Sequence, residues 1–271
     1  MTCPKLYFLA TGYVIANGTN LLTGSGLGIS LSDGATATIS TVLSTSYSGC
    51  TIKRNRLDGD GGTLILDSVF PEVDPAGGSF GAFYLYQGTT IMTGDNYYPG
   101  WIGQNDTNQF GVIIHNGTLH NAGSHTIRQG GTLGGTGTVQ LANSSKVIDQ
   151  YGTLTPGTAT DIGTLTIAVG DLKFYASTQA KFQVDLAADK ADKVIVGDLL
   201  TYNGTLTIDV TGERGSDASY TLFQYGSKTG AFTAVNINGV NPNKAEASFD
   251  VNTGVLTYHV LPPQGTLITI Q

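Results

Sequence analysis

Apolar and polar residues alternate one by one through most of this chain, in short runs that open on glycine. Thr-Leu-Thr-Ile at residues 164–167 and again at 205–208, and Thr-Val-Gln-Leu at 138–141, are typical. A period of two puts Leu, Val and Ile on one face of a β-strand and Thr on the other. The tripeptide GTL, or a close variant, starts at Gly62, Gly117, Gly131, Gly152, Gly163, Gly204, Gly254 and Gly265. From Gly117 to Gly163 the steps are 14, 21 and 11 residues. A flexible linker mixes glycine and serine with charge and shows no alternation. The pattern instead predicts a stack of coils, with glycine where the chain turns or where stacked backbones crowd, and aliphatic side chains directed inward. Each coil then covers the apolar face and the backbone edge of its neighbour, and only the two end coils remain open.

Two textures follow one another without a linker. Residues 1–110 hold most of the aromatic clusters, among them FGAFYLY (80–86) and NYYPGWIG (96–103), whereas residues 111–271 are the Gly/Thr-rich solenoid with C-terminal capping strands. The first region is expected to continue directly into the second. No segment has a convincing helical period. The nearest, AADKADK at 187–193, is too short and sits between two strand-like runs, so a turn is expected there. The class is all-β.

Four consecutive stretches carry a resemblance to a known family. They are GTLTPGTATDIGTLTI (152–167), GDLKFYASTQAKFQVDL (170–186), ADKVIVGDLLTYNGTLTIDV (191–210) and YTLFQYGSKTGAF (220–232). Their order over residues 117–260 resembles the passenger-associated repeats of bacterial autotransporters. The resemblance implies a single-stranded, right-handed parallel β-helix (a β-solenoid) without catalytic residues, displayed outside a cell. Two features of the family are not expected here, a C-terminal translocator barrel and a persuasive export signal. The N-terminal run does contain one lysine, an apolar stretch and Val14-Ile15-Ala16, but Thr11, Gly12 and Tyr13 interrupt it, so it is expected to stay and pack as a first strand.

Charge narrows the partners. The formal net charge is −7 with only 13 Lys and Arg, so no basic stripe exists to neutralise phosphates, and nucleic acid is not an expected partner. The one basic cluster, KRNR at 53–56, reads as a solvated turn. Apolar residues at 40% against 12% charged argue for a folded core. No run approaches the length of a membrane-spanning helix, so membrane insertion is not expected. Two cysteines, Cys3 and Cys50, are compatible with a single bridge or with two buried thiols.

Candidate chemistry is sparse. In LDGDGG (57–62), Asp58 and Asp60 stand two apart in a glycine turn, a spacing that suits Ca²⁺, although an ordinary turn needs nothing more; otherwise no cofactor is expected. Tyr84, Tyr86, Tyr97, Tyr98 and Trp101 form a candidate patch for sugar stacking or protein docking, with core filling as the alternative. His115, His120 and His125 fall in HNGTLHNAGSH, at intervals of five that match no metal motif, and read as polar coil-corner residues. Asp185, Asp189 and Asp192 with Lys190 and Lys193 are the densest acid/base group, but they lie in a turn where solvation accounts for them.

The expectation is therefore a non-catalytic structural or binding solenoid on a particle or cell surface, foremost a virion decoration or fibre-type component. Its partners would be further copies in a homo-oligomer, other subunits of a surface assembly, and a host receptor or glycan. A surface adhesin of autotransporter-passenger type and a glycan-acting β-helix lyase or hydrolase are the alternatives, and the location in the first two readings is the virion or extracellular surface.

Overall fold

A computed structural model describes residues 3–16, 21–46, 48–54, 61–72, 76–104, 111–158 and 161–262. Within them there is no helix, and parallel strands stack as the coils of a β-solenoid. One sheet of 11 strands contains a stack of ten parallel strands, running from Tyr13–Ile15 at one end to Ala234–Asn238 at the other. A second sheet, of 15 strands, holds the other two sides of each coil. The long strand Lys193–Tyr202 joins those sides, pairing through Val194–Val196 with Thr164–Val169 and through Leu200 and Thr201 with Asp171–Phe174. The stacking crosses residue 111 without a break, because Val112–His115 pairs with Thr89–Thr93 on one side and with Thr132–Gly135 on the other.

The alternation in the sequence becomes ladders of side chains. In successive coils the register aligns Ala37, Leu64, Thr90, Ile113, Leu133, Leu154, Ala180 and Leu206, all of them buried. Between the inward positions stand half-buried threonines such as Thr153 and Thr205. Each large aliphatic in the column contributes about 1.5–3 kcal/mol by leaving water, so the stack is held by its interior rather than by any one turn.

The GTL repeat now has a physical explanation. Its irregular steps arise because it marks two different corners of the coil. Thr132 pairs with Thr153 on one side, and Thr118 with Thr138 on another, so GTL at 131 and 152 belongs to one column and GTL at 117 to the second. In the first column, carbonyls of Gly62, Gly88, Gly111, Gly131 and Gly152 accept the N–H of Thr89, Val112, Thr132, Thr153 and Gln179 in the next coil. Backbone crowding is what demands glycine at Gly62, where a Cβ would stand 2.5 Å from the Leu31 Cβ and 2.7 Å from the Ser32 carbonyl. On the side formed by the 11-stranded sheet the chain returns after 20 residues at its shortest (Val112 beside Thr132) and 29 at its longest (Thr205 beside Ala234), with the extra residues held in the turns.

The two ends differ. At the C-terminal end, the antiparallel sheet of Ala218–Thr221, Val255–Val260 and Ala245–Asp250 closes the stack. Beneath it Phe223 meets Phe174, Phe182, Tyr202, Phe232 and Phe249 at centroid separations of 4.7–6.2 Å. At the other end, Cys3–Phe8 does pack as a first strand, in parallel with Leu21–Leu31. Its coil leaves Tyr7, Leu9, Tyr13 and Val14 exposed.

Candidate functional site

The five aromatic candidates separate into three places. Tyr84, Tyr86 and Trp101 stand on the outer side of neighbouring coils, with Tyr84 6.1 Å from Tyr86 and 5.6 Å from Trp101 between centroids. The Trp101 indole N–H donates to Thr126 Oγ1 of the next coil at 3.2 Å. Lys53 lies beside Tyr84 in register. Tyr97 is on another side of the coil, stacked on His120 at 4.4 Å with planes 13° apart, and Asp95 lies 3.8 Å from that imidazole. Tyr98 faces inward and is 0% exposed, packed against Phe70, Phe80 and Phe83, so it fills the core and presents nothing to a partner. Burial pushes its phenol well above the usual tyrosine range.

The outer aromatic surface extends beyond these five residues. Tyr151 and Tyr175 stack at 3.8 Å with planes 14° apart, the Arg128 guanidinium lies 5.2 Å from the Tyr151 ring, and the Lys173 ammonium lies 4.8 Å from that of Tyr175. Tyr175 donates to Asp149 at 2.8 Å. The available signal was the aligned repetition of Asp149-Gln150-Tyr151 and Lys173-Phe174-Tyr175, outward–inward–outward, in consecutive coils. These rings stack on one another, so what they present outward is largely edges and hydroxyls.

The acidic group of residues 185–193 is held by local bonds. Asp185 Oδ1 accepts the N–H of Ala187 and Ala188 at 2.9 Å each, forming the turn that the sequence led us to expect. Asp189 pairs with Arg214 and accepts the Tyr220 hydroxyl at 3.1 Å. Asp192 is fully buried, and its two oxygens accept the N–H of Gly163 and Gln183 at 2.8 Å each. Loss of water outweighs those two bonds and raises its carboxyl to about 6. Lys193 donates to Gln224 at 2.8 Å. An open groove of about 640 Å³ runs past Asp161, Gln183, Asp185, Lys190 and Asp209. Asp58 and Asp60, the calcium candidates, lie outside the described residues, as does the side chain of Cys3; Cys50 is buried.

Four titratable side chains expected at the surface are inside: Asp192, which backbone amides rather than solvent satisfy, and Arg54, His115 and His125. Arg54, read as part of a solvated turn, is fully buried at the end of Cys50–Arg54 and donates through Nη2 to the Gly62 carbonyl at 2.6 Å. Strand alternation explains this, since Cys50, Ile52 and Arg54 all point inward. His115 and His125, read as corner residues, are 1% and 0% exposed, with ring centroids 5.7 Å apart. His125 Nδ1 lies 3.2 Å from the Gly123 carbonyl, while His125 Nε2 and both nitrogens of His115 have no partner among the described residues. Burial lowers His115 to about 3 and His125 to about 4, so both are neutral imidazoles. His120 is the member of the trio that stays near the surface.

No known family model matches this chain, and no curated protein matches it. No helix among the described residues is long and apolar enough to cross a membrane.

Proposed function

We propose that this chain is a non-catalytic structural or binding solenoid on the surface of a particle or cell, of virion decoration or fibre type. The asymmetry of its ends carries the reading. One end is largely covered by an antiparallel sheet and exposes a single large apolar side chain, Val235 at 42%, among the described residues, while the other exposes Leu9 at 77%, Val14 at 63%, Tyr7 at 52% and Tyr13 at 50%. An apolar end coil is the natural attachment point of a stacked rod, and a second copy or another subunit of the assembly would cover it. The covered end and the outer rows of Tyr84, Trp101 and Tyr175 would then face outward.

Light scattering on the wild type and on the double variant Leu9→Asp/Val14→Asp tests this. The wild type should run as an oligomer at micromolar concentration and the variant as a monomer. A wild type that stays monomeric, with no change on mutation, overturns the reading.

A surface adhesin of autotransporter-passenger type is the second reading. It is supported by the way residues 152–232, which carry the motif order, form consecutive coils that lead into the cap. Adhesion of the isolated, monomeric chain to cells or glycans would favour it over the first. The glycan-acting enzyme is the least supported, because the carboxylates of Asp185, Asp189 and Asp192 already serve the turn, an ion pair and two backbone amides. Turnover of any glycan that is lost in Asp185→Asn would reinstate it.

A further inference from the structure

Two neutral imidazoles lie next to each other in the core with their planes 59° apart, and nothing among the described residues satisfies three of their four nitrogens. Leaving a buried acceptor or donor unmet costs about 1–3 kcal/mol each, so the arrangement calls for an occupant. The tautomer suits a metal ion. A carbonyl only accepts, so His125 Nδ1 carries the hydrogen that meets Gly123, and the lone pair of Nε2 is directed into the core. A backbone carbonyl on the far nitrogen is the usual support of a metal-binding histidine.

Distance agrees with this. An ion at about 2.0 Å from each ligating nitrogen stands roughly 3.1–3.2 Å from each ring centre. Centres 5.7 Å apart then give an N–metal–N angle of about 130°, between trigonal and linear and nearer the former. Met92 supplies a third donor of the right kind: it is His115's register partner in the preceding coil, and both side chains point inward and are buried. The following strand ends in Gly134 and Gly135, which add no side chain to this part of the core.

The donor set selects the ion. The thioether is a soft ligand, the two imidazoles are borderline and all three are uncharged, a set that favours Cu(I) over divalent ions that prefer carboxylate or water. With no anionic ligand in the set, a monovalent ion also leaves the smaller uncompensated charge in the core, since the desolvation cost grows with the square of the charge. We propose that His115, His125 and Met92 form a trigonal Cu(I) site inside the solenoid.

The test is anaerobic titration of the metal-free full chain with Cu(I) against a competing chelator, with X-ray absorption on the product. One ion per chain, ligated by two nitrogens and one sulfur, is the expected result, together with a rise in unfolding temperature. His125→Ala should abolish binding, and the volume-conserving Met92→Leu should weaken it at least tenfold while keeping the fold. His120→Ala should bind as wild type does. Loss of binding in His120→Ala, equal retention in His125→Ala, or no uptake above a chelator control overturns the proposal, as does a crystal structure with a water between the rings after exposure to Cu(I).

Discussion

Gly123 lies directly over Gly100: its N–H donates to the Gly100 carbonyl at 3.1 Å, and a Cβ on Gly123 would stand 2.5 Å from that same oxygen. No side-chain rotation relieves such a contact, because both partners are backbone. Gly123→Ala must therefore shift one coil against another. We expect a loss of about 2–4 kcal/mol in urea unfolding, in the range of other large single-site effects. Gly215, which has nothing within 4 Å of the corresponding position, is the control. Gly215→Ala should be neutral or slightly stabilising, by up to about 1 kcal/mol, through the unfolded chain.

Arg54 offers a different test of the interior. Its guanidinium is buried and bonded to the Gly62 carbonyl at 2.6 Å, and that carbonyl also accepts the N–H of Thr89. Arg54→Ala opens a cavity and removes a donor from a corner at which three coils meet, so a loss of about 3 kcal/mol is expected. Arg54→Lys should recover only part of this, since a compact ammonium cannot reproduce the planar fork. Equal stability of Arg54→Ala and wild type would show that the corner is solvated.

How far the sequence was legible follows from what alternation can and cannot express. The period of two in Thr-Leu-Thr-Ile identified inward positions correctly at Leu165, Ile167, Leu206 and Ile208, and the glycines marked the corners. Alternation treats every residue type alike, however, and composition does not. Arg54 and the two histidines were assigned to the surface because they are polar, although each stands at a position whose strand neighbours two residues away point inward. Tyr98 was grouped with Tyr97 and Trp101 by proximity in sequence, yet neighbours along a strand face opposite ways. The alignment of Tyr151 with Tyr175 depends on a register that the variable coil length conceals, 19 residues from Phe83 to Ile102 but 31 from Ile52 to Phe83.

Tyr98 makes the distinction between core and surface measurable. Its hydroxyl is buried without a hydrogen-bond partner, while its ring packs on Phe70 at 4.8 Å and on Phe80 at 5.8 Å. Tyr98→Phe should be neutral or stabilising by up to about 1–2 kcal/mol, because a desolvated, unpartnered group is removed and the packing is kept. Tyr98→Ala should cost about 3–5 kcal/mol. If Tyr98→Phe proves strongly destabilising in thermal unfolding, the hydroxyl has a partner after all.

Asp192 governs a dependence on pH with an unusual sign. Most paired carboxylates have lowered pKa values and stabilise a protein as pH rises, whereas burial raises Asp192 to about 6 from the ordinary 3.8. Between those values the folded chain holds a proton that the unfolded chain has released. Stability from this group is therefore full below about pH 4 and is lost as pH rises through 6, by roughly 2–3 kcal/mol. The histidines titrate in an overlapping range, so total stability does not isolate the effect, but the comparison with Asp192→Asn does, because their contribution is common to both chains. At pH 4 the wild type is the neutral acid, whose hydroxyl oxygen still has a lone pair for the second of the Gly163 and Gln183 amides, whereas the NH2 of asparagine has none, so the variant should be less stable at pH 4. Its deficit relative to wild type should then shrink by about 2–3 kcal/mol towards pH 7 in urea unfolding. A deficit that widens with pH would mean that the two amide bonds outweigh burial and that the carboxylate, not the acid, is the form the fold prefers.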